Sequence, residues 1–278
     1  MSGSFSLMGI VNVTPDSFSD GGQFFDTGRA VDHGLQLMKE GADILDIGGE
    51  SSRPGATPIP AEEEIRRVLP VIKALKDHGA IVSVDTRNAA TMRAAIEAGA
   101  DIINDISSLT HDPGSLSVVS ESRVRIVLMH LKGTPETMQG QAVYGSVVND
   151  VMDYLQSRLE VCVGAGIGKD RIIIDPGIGF AKLLPHNLIT LRKIADFQSL
   201  HVPILLGVSR KRFIEGIVPD ASVDRRLPGS LSSVLWAFHQ GVTMFRVHDV
   251  KETRQALLVW DAIRTAHSGT GKSAMRRG

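Results

Sequence analysis

Eight short apolar runs recur along the 278-residue chain, and nearly all of them stop on a polar or charged residue. They are Leu7–Val13 with Asn12 near its end, Ile44–Gly49 before Glu50, Ile81–Val84 before Asp85, Ile102–Asn104 before Asp105, Ile126–His130, Ile172–Asp175, Ile204–Ser209 before Arg210 and Lys211, and Met244–His248. A parallel strand buried on both faces reads as an unbroken apolar run rather than as an alternation. Segments with apolar residues at helical spacing lie between and after the runs: Thr27–Glu40, Ala61–His78, Asn88–Ala98, Leu116–Ser122, Ser146–Ala165, Asn187–Phe197, Ser230–Gln240 and Glu252–Thr265. Strand and helix alternating eight times predict an α/β chain folded as an eight-stranded parallel (β/α)8 TIM barrel. Gly79, Gly99 and Gly241 fall just past helix ends, where a left-handed cap is needed, and Thr27, Asn88 and Ser146 stand where N-caps are expected.

In such a barrel the chemistry sits at the C-terminal ends of the strands, so the polar residues that end these runs converge on one mouth. Asp85 and Asp175 are acceptor-only when ionised, and Asn104 offers both an acceptor and donors. Together they suit a flat heterocycle with an N–C–N edge of amidine type. Lys211 adds a point-charge donor. Arg246 and His248 are two apart on the last strand and point to the same side; an Arg plane stacks on an aromatic ring or forks onto phosphate, and His can donate to an anion. Taken singly, each has a structural explanation, such as a turn at Asp175-Pro176-Gly177 or a helix start after Asp85. Their joint placement at strand ends is what points to a site for an aromatic, anionic ligand.

The loops after the first two strands are rich in Gly, Pro, Ser and Asp: Asn12 to Gly22, and Glu50 to Pro58. Such loops commonly close over a barrel mouth and exclude water from a reactive intermediate. Asn12 and Asp20 supply oxygen ligands of the kind Mg²⁺ takes while keeping waters and a substrate phosphate, which predicts a substrate-completed metal site. Phe18 is the one aromatic side chain positioned in a loop to cover a ring.

Composition narrows the remaining choices. Formal net charge is −1 with 22% charged residues of both signs interspersed, so no concentrated basic surface for nucleic acid or membrane is expected. No apolar run reaches the length of a membrane span, and no secretory leader is legible at the start. The single cysteine, Cys162, excludes an internal disulfide, reads as a buried thiol on a helix, and fits a reducing, cytoplasmic location. Residues 1–267 read as one domain and 268–278 as a disordered tail. Gly269 to Ser273 is half a phosphate loop, but Ala266 stands where the other half needs glycine.

Linked motifs at these strand ends resemble the pterin-binding barrel family, and within it the dihydropteroate synthases. The resemblance is carried by Gly9–Gly22, Asp46–Pro58, Val82–Thr86, Ile103–Ser107, Leu128–Gly133 with Thr134-Pro135 and Met138-Gln139, Asp175–Phe180, Gly207–Phe213 and Arg246–Val250. It implies that Asp85, Asn104, Asp175 and Lys211 bind a pterin, with Ile106, Met129 and Phe180 lining its slot and Arg246 against its face. By the same resemblance Asn12, Arg246 and His248 hold a pyrophosphate with Mg²⁺, while Phe18, Ser52, Arg53, Pro54, Ser209 and Lys211 surround p-aminobenzoate. Asp85, Asp175, Lys211 and Arg246 become the catalytic set. Departures from the family pattern are Ser52 for a frequent Thr, Ala181 for a frequent Gly, and Pro228 before Gly229-Ser230; none removes a functional group.

The implied reaction joins 7,8-dihydropterin-6-ylmethyl diphosphate to p-aminobenzoate with release of pyrophosphate. A homodimer and sensitivity to sulfonamides are further expectations of the resemblance. Two alternatives remain open. A methyltetrahydrofolate methyltransferase would keep Asp85, Asn104 and Asp175 but have no use for the pyrophosphate site or the two loops, and a non-catalytic binding barrel would tend to lose the loop and strand-end charges.

Overall fold

The first strand, β1 (Ser6–Asn12), runs up the centre of a sheet whose order is β6-β5-β4-β3-β2-β1-β8-β7, every registered pair parallel. The other strands are β2 (Ile44–Gly48), β3 (Val82–Asp85), β4 (Ile102–Asp105), β5 (Arg125–Met129), β6 (Ile172–Asp175), β7 (Leu205–Gly207) and β8 (Met244–Val247). A bridge between Ile174 and Ile204, with Ile174 N donating to Pro203 O at 3.0 Å, brings the two edges together and closes the barrel. The helices are α1 (Gln23–Glu40), α2 (Ala61–Asp77), α3 (Ala89–Glu97), α4 (Ser115–Ser120), α5 (Val147–Gly164), α6 (Leu184–Arg192), α7 (Leu227–His239) and α8 (Val250–Thr265). This computed structural model describes residues 5–14, 23–51 and 58–266.

Period-two alternation divides each strand between two cores. Leu7, Leu45, Val82, Ile103, Ile126, Ile172, Leu206 and Phe245 face outward into the layer shared with the helices. Met8, Ile44, Ile102, Val127, Ile173, Leu205 and Met244, one from each of seven strands, form a separate apolar plug inside the barrel. Two residues further along the same strands, the inward positions hold Asp46, Asn104, Met129, Asp175, Gly207 and Arg246, and β3 contributes Asp85. The strand period itself therefore lifts a polar layer onto an apolar floor.

Several local expectations hold, and some change. Gly79, Gly99 and Gly241 have φ of 76°, 94° and 91° at the ends of α2, α3 and α7. Pro228 fits in the first turn of α7. Thr27 is not a cap, because α1 begins four residues earlier. Asn88 and Ser146 precede α3 and α5 but make no side-chain capping bond; the Asn88 amide donates instead to Glu64 at 2.9 Å. The helix expected at Asn187–Phe197 is α6 followed by a 3₁₀ stretch, Ile194–Leu200. Cys162 is buried, which raises its thiol pKa and leaves it inert. Among the described residues no helix is long and apolar enough to cross a membrane.

Candidate active site

Arg246, from β8, is the hub of the polar layer. Its Nε donates to Asp46 Oδ2 at 2.6 Å and its Nη2 to Asp85 Oδ2 at 2.8 Å, while Asn104 Nδ2 donates to the same Asp46 oxygen at 3.1 Å. Four strand ends, those of β2, β3, β4 and β8, are thereby tied across the barrel interior. Burial works against the Arg246 charge, but Asp46 and Asp85 outweigh it and raise its pKa. Asp85 is pushed up to about 7, chiefly by burial and against the pull of Arg246, with Asp46 adding repulsion.

A second polar group faces it from β6 and the β7–α7 loop. Asp175 is buried, and its Oδ1 accepts from Gly177 N at 2.7 Å. Burial raises its pKa while Lys211 holds it down. Lys211 donates to Ile178 O, lies 4.6 Å above the Phe180 ring, and is depressed from 10.5 to about 8 by burial against the attraction of Asp175.

Glycines leave the room between these groups. A methyl built on Gly207 would lie 3.7 Å from Lys211 Nζ, 3.9 Å from Arg246 Cβ and 3.9 Å from Asp175 Oδ2. One built on Gly48 would lie 3.6 Å from Asp85 Cβ. Both glycines are inward positions, so the carboxylates, the guanidinium and the ammonium flank a narrow slot in which a methyl would sit at van der Waals contact. Its apolar wall is a separate cluster of Ile106, Met129, Leu131, Met138 and Ala181 with Phe180 packed on it. A thin gap with one greasy wall and donors and acceptors on its edge suits a flat heterocycle.

The loops are anchored by groups that face away from the slot. Asp105 accepts from Ser107 N at 2.7 Å, Ser107 Oγ at 2.6 Å and Leu109 N at 2.8 Å, which holds Ser108 and Leu109 at φ of 55° and 60° and presents Ile106 to the slot. Glu50 binds Arg87 through contacts of 3.1 and 3.3 Å and takes Ile59 N at 3.1 Å, so it straps the rim. Arg210, at φ 56°, pairs with Asp249, and Ser209 Oγ lies 3.1 Å from His248 N and 3.0 Å from its Nδ1; the β7 and β8 loops are thus joined beside Lys211.

Of the residues expected from sequence, Asp85, Asn104, Ile106, Met129, Asp175, Phe180, Lys211 and Arg246 converge on this slot. Ser209 and His248 stand together on its rim, and Asn12 ends β1 beside Gly48. Phe18, Asp20, Ser52, Arg53, Pro54 and the tail with its half phosphate loop lie outside the described residues. Asp46 was passed over, although a lone aspartate inside the run Ile44-Leu45-Asp46-Ile47-Gly48 is itself a signal, since a carboxylate is not buried there without partners. The ion pair of Arg246 with Asp85 is likewise not legible in the sequence, where each residue reads as facing a ligand separately.

Residues 8–248 match the model of a family described as pterin binding enzyme. The dihydropteroate synthase of Haemophilus influenzae is 42% identical over 261 residues, covering 94% of each chain. The chain belongs to the dihydropteroate synthase family. Two solved dihydropteroate synthase structures from Xanthomonas albilineans superpose on it, one with 4-aminobenzoic acid (46% identity, TM-score 0.89) and one with 7,8-dihydropteroate (43% identity, TM-score 0.86). Each alignment covers 94% of both chains. The resemblance seen in the strand-end motifs is therefore a relationship along the whole barrel, as expected of a dihydropteroate synthase.

Proposed function

We propose that the chain condenses 7,8-dihydropterin-6-ylmethyl diphosphate with p-aminobenzoate to give 7,8-dihydropteroate and pyrophosphate. The observation that carries this reading is the glycine-floored slot edged by Asp85, Asn104, Asp175, Lys211 and Arg246. Ring N–H and amino donors of the pterin meet Asp85, Asn104 and Asp175, and the Lys211 ammonium meets a ring nitrogen or carbonyl. An aniline nitrogen is a weak nucleophile, so the bond from the methylene carbon to the diphosphate oxygen breaks early and its electron pair leaves with the diphosphate. Positive charge spreads into the pterin, where Asp85 and Asp175 stabilise it. The amine lone pair then forms the C–N bond, and the resulting aminium loses its proton to water. No strong general base is required.

Arg246 and His248 hold the departing diphosphate. We further propose Mg²⁺ there. Asn12 offers one hard amide oxygen, and among the described residues no three His, Cys, Asp or Glu side chains gather to hold a metal by themselves. That donor set fits an ion completed by substrate oxygens and water, with Asp20 as the second protein ligand. When bound, it would neutralise charge on the leaving group. Phe18, Ser52, Arg53, Pro54, Ser209 and Lys211 are assigned to p-aminobenzoate, which a sulfonamide would displace.

A homodimer and a cytoplasmic location complete the reading. Exposed Leu188 and Ile189 on α6, Trp236 on α7, and Leu258, Val259 and Ile263 on α8 support the dimer, since a Trp236–Leu191 hydrogen bond of 2.9 Å and packing of α7 on α8 make these helices neighbours. The single, buried cysteine suits a reducing compartment. The deciding experiment is pyrophosphate release from the dihydropterin diphosphate and Mg²⁺, with and without p-aminobenzoate. Release that requires the aminobenzoate supports the synthase; binding without such turnover would favour a non-catalytic barrel.

A further inference from the structure

We propose that Lys182, clasped to His130, is a positioning residue for the pterin slot: it pins the turn that follows β6 and stands as a cation behind Asp175, without touching the substrate. The proposal rests on the reading that Asp175 holds the pterin.

Lys182 is 3% exposed, and its Nζ lies 2.9 Å from His130 Nδ1, 3.1 Å from Gly177 O and 3.3 Å from Phe180 O. An ammonium has three donors and no acceptor, and here all three donors go to neutral acceptors. Burying a cation without a hydrogen-bonded carboxylate is costly. The opposing attraction comes from Asp175 at longer range, and the effect is mutual, since Lys182 lowers the Asp175 pKa. Asp175 thus has one cation inside the slot, Lys211, another behind it, Lys182, and Arg246 across the barrel. Lys182 in turn feels Asp175, Lys211, Lys132 and the neutral His130. Burial depresses Lys182 from 10.5 to about 7, so it is about half charged at neutrality, charged below and neutral above.

His130 is built as an acceptor. It is 1% exposed, its ring meets those of Tyr144 and Tyr154 at centroid distances of 6.0 and 5.1 Å, and burial with two nearby lysines pushes its pKa down to about 3. The imidazole is therefore neutral. Because a lysine ammonium only donates, Nδ1 carries the lone pair and Nε2 the proton.

The clasp grips both ends of a turn that shapes the slot. Gly177, at φ 72°, lies so close to the neighbouring strand end that a methyl there would be 2.1 Å from His130 O. Between the two gripped carbonyls sits Ile178, whose own carbonyl accepts from Lys211, and at the far end Phe180 presents its ring to Lys211. Releasing Lys182 would move an acceptor and a wall of the slot while removing a charge that favours ionised Asp175.

The test compares wild type with Lys182→Met by following the Asp175 carboxyl in ¹³C-aspartate-labelled protein without substrate, the resonance being assigned with Asp175→Asn. The Asp175 midpoint should move to higher pH in Lys182→Met. In turnover, KM for the dihydropterin diphosphate should rise at least tenfold, while KM for p-aminobenzoate stays within twofold. Lys182→Arg, which restores the charge, should return the Asp175 midpoint towards wild type. A lower Tm with an unmoved Asp175 midpoint and unchanged pterin KM would overturn the proposal and leave Lys182 a packing residue. Should Lys182→Met fail to fold, His130→Leu keeps the cation and removes its acceptor; a rise in pterin KM supports the clasp, and no change overturns it. Wild type that fails to bind the dihydropterin would sink the functional reading, whereas the substrate-free titration judges the clasp by itself.

Discussion

Replacing Lys211 by methionine should abolish synthase turnover and yet make the protein more stable at neutral pH. Lys211 titrates at 10.5 in an ordinary setting and at about 8 in the folded protein, because burial disfavours its charge more than Asp175 favours it. At pH 7 that depression corresponds to roughly 3 kcal/mol against the folded state. Methionine keeps the apolar stem but gives up the bond to Ile178 O and the contact with the Phe180 ring, together worth about 2 kcal/mol. The net expectation is a gain of about 1 kcal/mol for Lys211→Met. The sign with pH follows from a depressed base: the penalty is fully present below the folded value of about 8 and gone above the unfolded value of 10.5. Urea unfolding from pH 6 to 11 should therefore show the variant ahead at pH 6–7, and wild type overtaking it as pH rises through 8 to 10.5. A variant that is less stable than wild type at pH 7, or a difference that does not move with pH, would refute the view that this lysine is kept for chemistry at the expense of the fold.

The remaining expectations concern the same layer. In pH profiles, kcat/KM for the dihydropterin diphosphate should rise through about 7 as Asp85 ionises and fall above about 8 as Lys211 loses its proton, a narrow bell reporting coupled groups; a flat profile from pH 6 to 9 would remove both from binding. Gly207→Ala meets no clash and has an ordinary φ, so the fold should gain up to about 1 kcal/mol while pterin affinity, measured by calorimetry, falls at least about tenfold because the methyl occupies the slot. Arg246→Met leaves Asp46 and Asp85 buried without their cation and should cost about 3–5 kcal/mol at pH 8. That loss should shrink towards pH 5, where Asp85 takes up a proton; an equal loss at both values would mean that packing, not charge, is what Arg246 supplies.

What could be read in advance depended on whether the information was local. Strand runs and glycine caps are local patterns, so the barrel and the ends of α2, α3 and α7 were legible to within a residue or two. Strand-end placement brought Asp85, Asn104, Asp175, Lys211 and Arg246 to one mouth because the barrel's geometry is generic. Partner choice is not generic. Whether Asn88 caps α3 or reaches Glu64 24 positions away, and whether Arg246 faces a ligand or spans Asp46 and Asp85, is decided by contacts between distant segments. Thr27 failed as a cap for a related reason, since α1 starts earlier than its apolar periodicity shows. The clasp of His130 with Lys182 joins positions 52 apart, and the sequence marks it only as a histidine at the end of one strand and a lysine in the loop after another.

The same layer explains why the barrel places its charges where it does. An apolar plug from seven strands lies beneath the slot, and Asp85 and Asp175 above it are buried, so each charge there is poorly solvated and depends on its neighbours. Asp85 depends on Arg246, and Asp175 on Lys211 and Lys182, yet burial still holds both carboxyls above their ordinary range. Carboxylates left underserved in this way interact most strongly with a flat cation that arrives in the slot, because its charge completes a balance the protein leaves incomplete. The pterin cation formed as diphosphate departs is such a species, whereas the neutral dihydropterin is not. With Asp85 and Asp175 in the proposed roles, selectivity for the transition state over the ground state then follows from leaving both carboxylates short of countercharge.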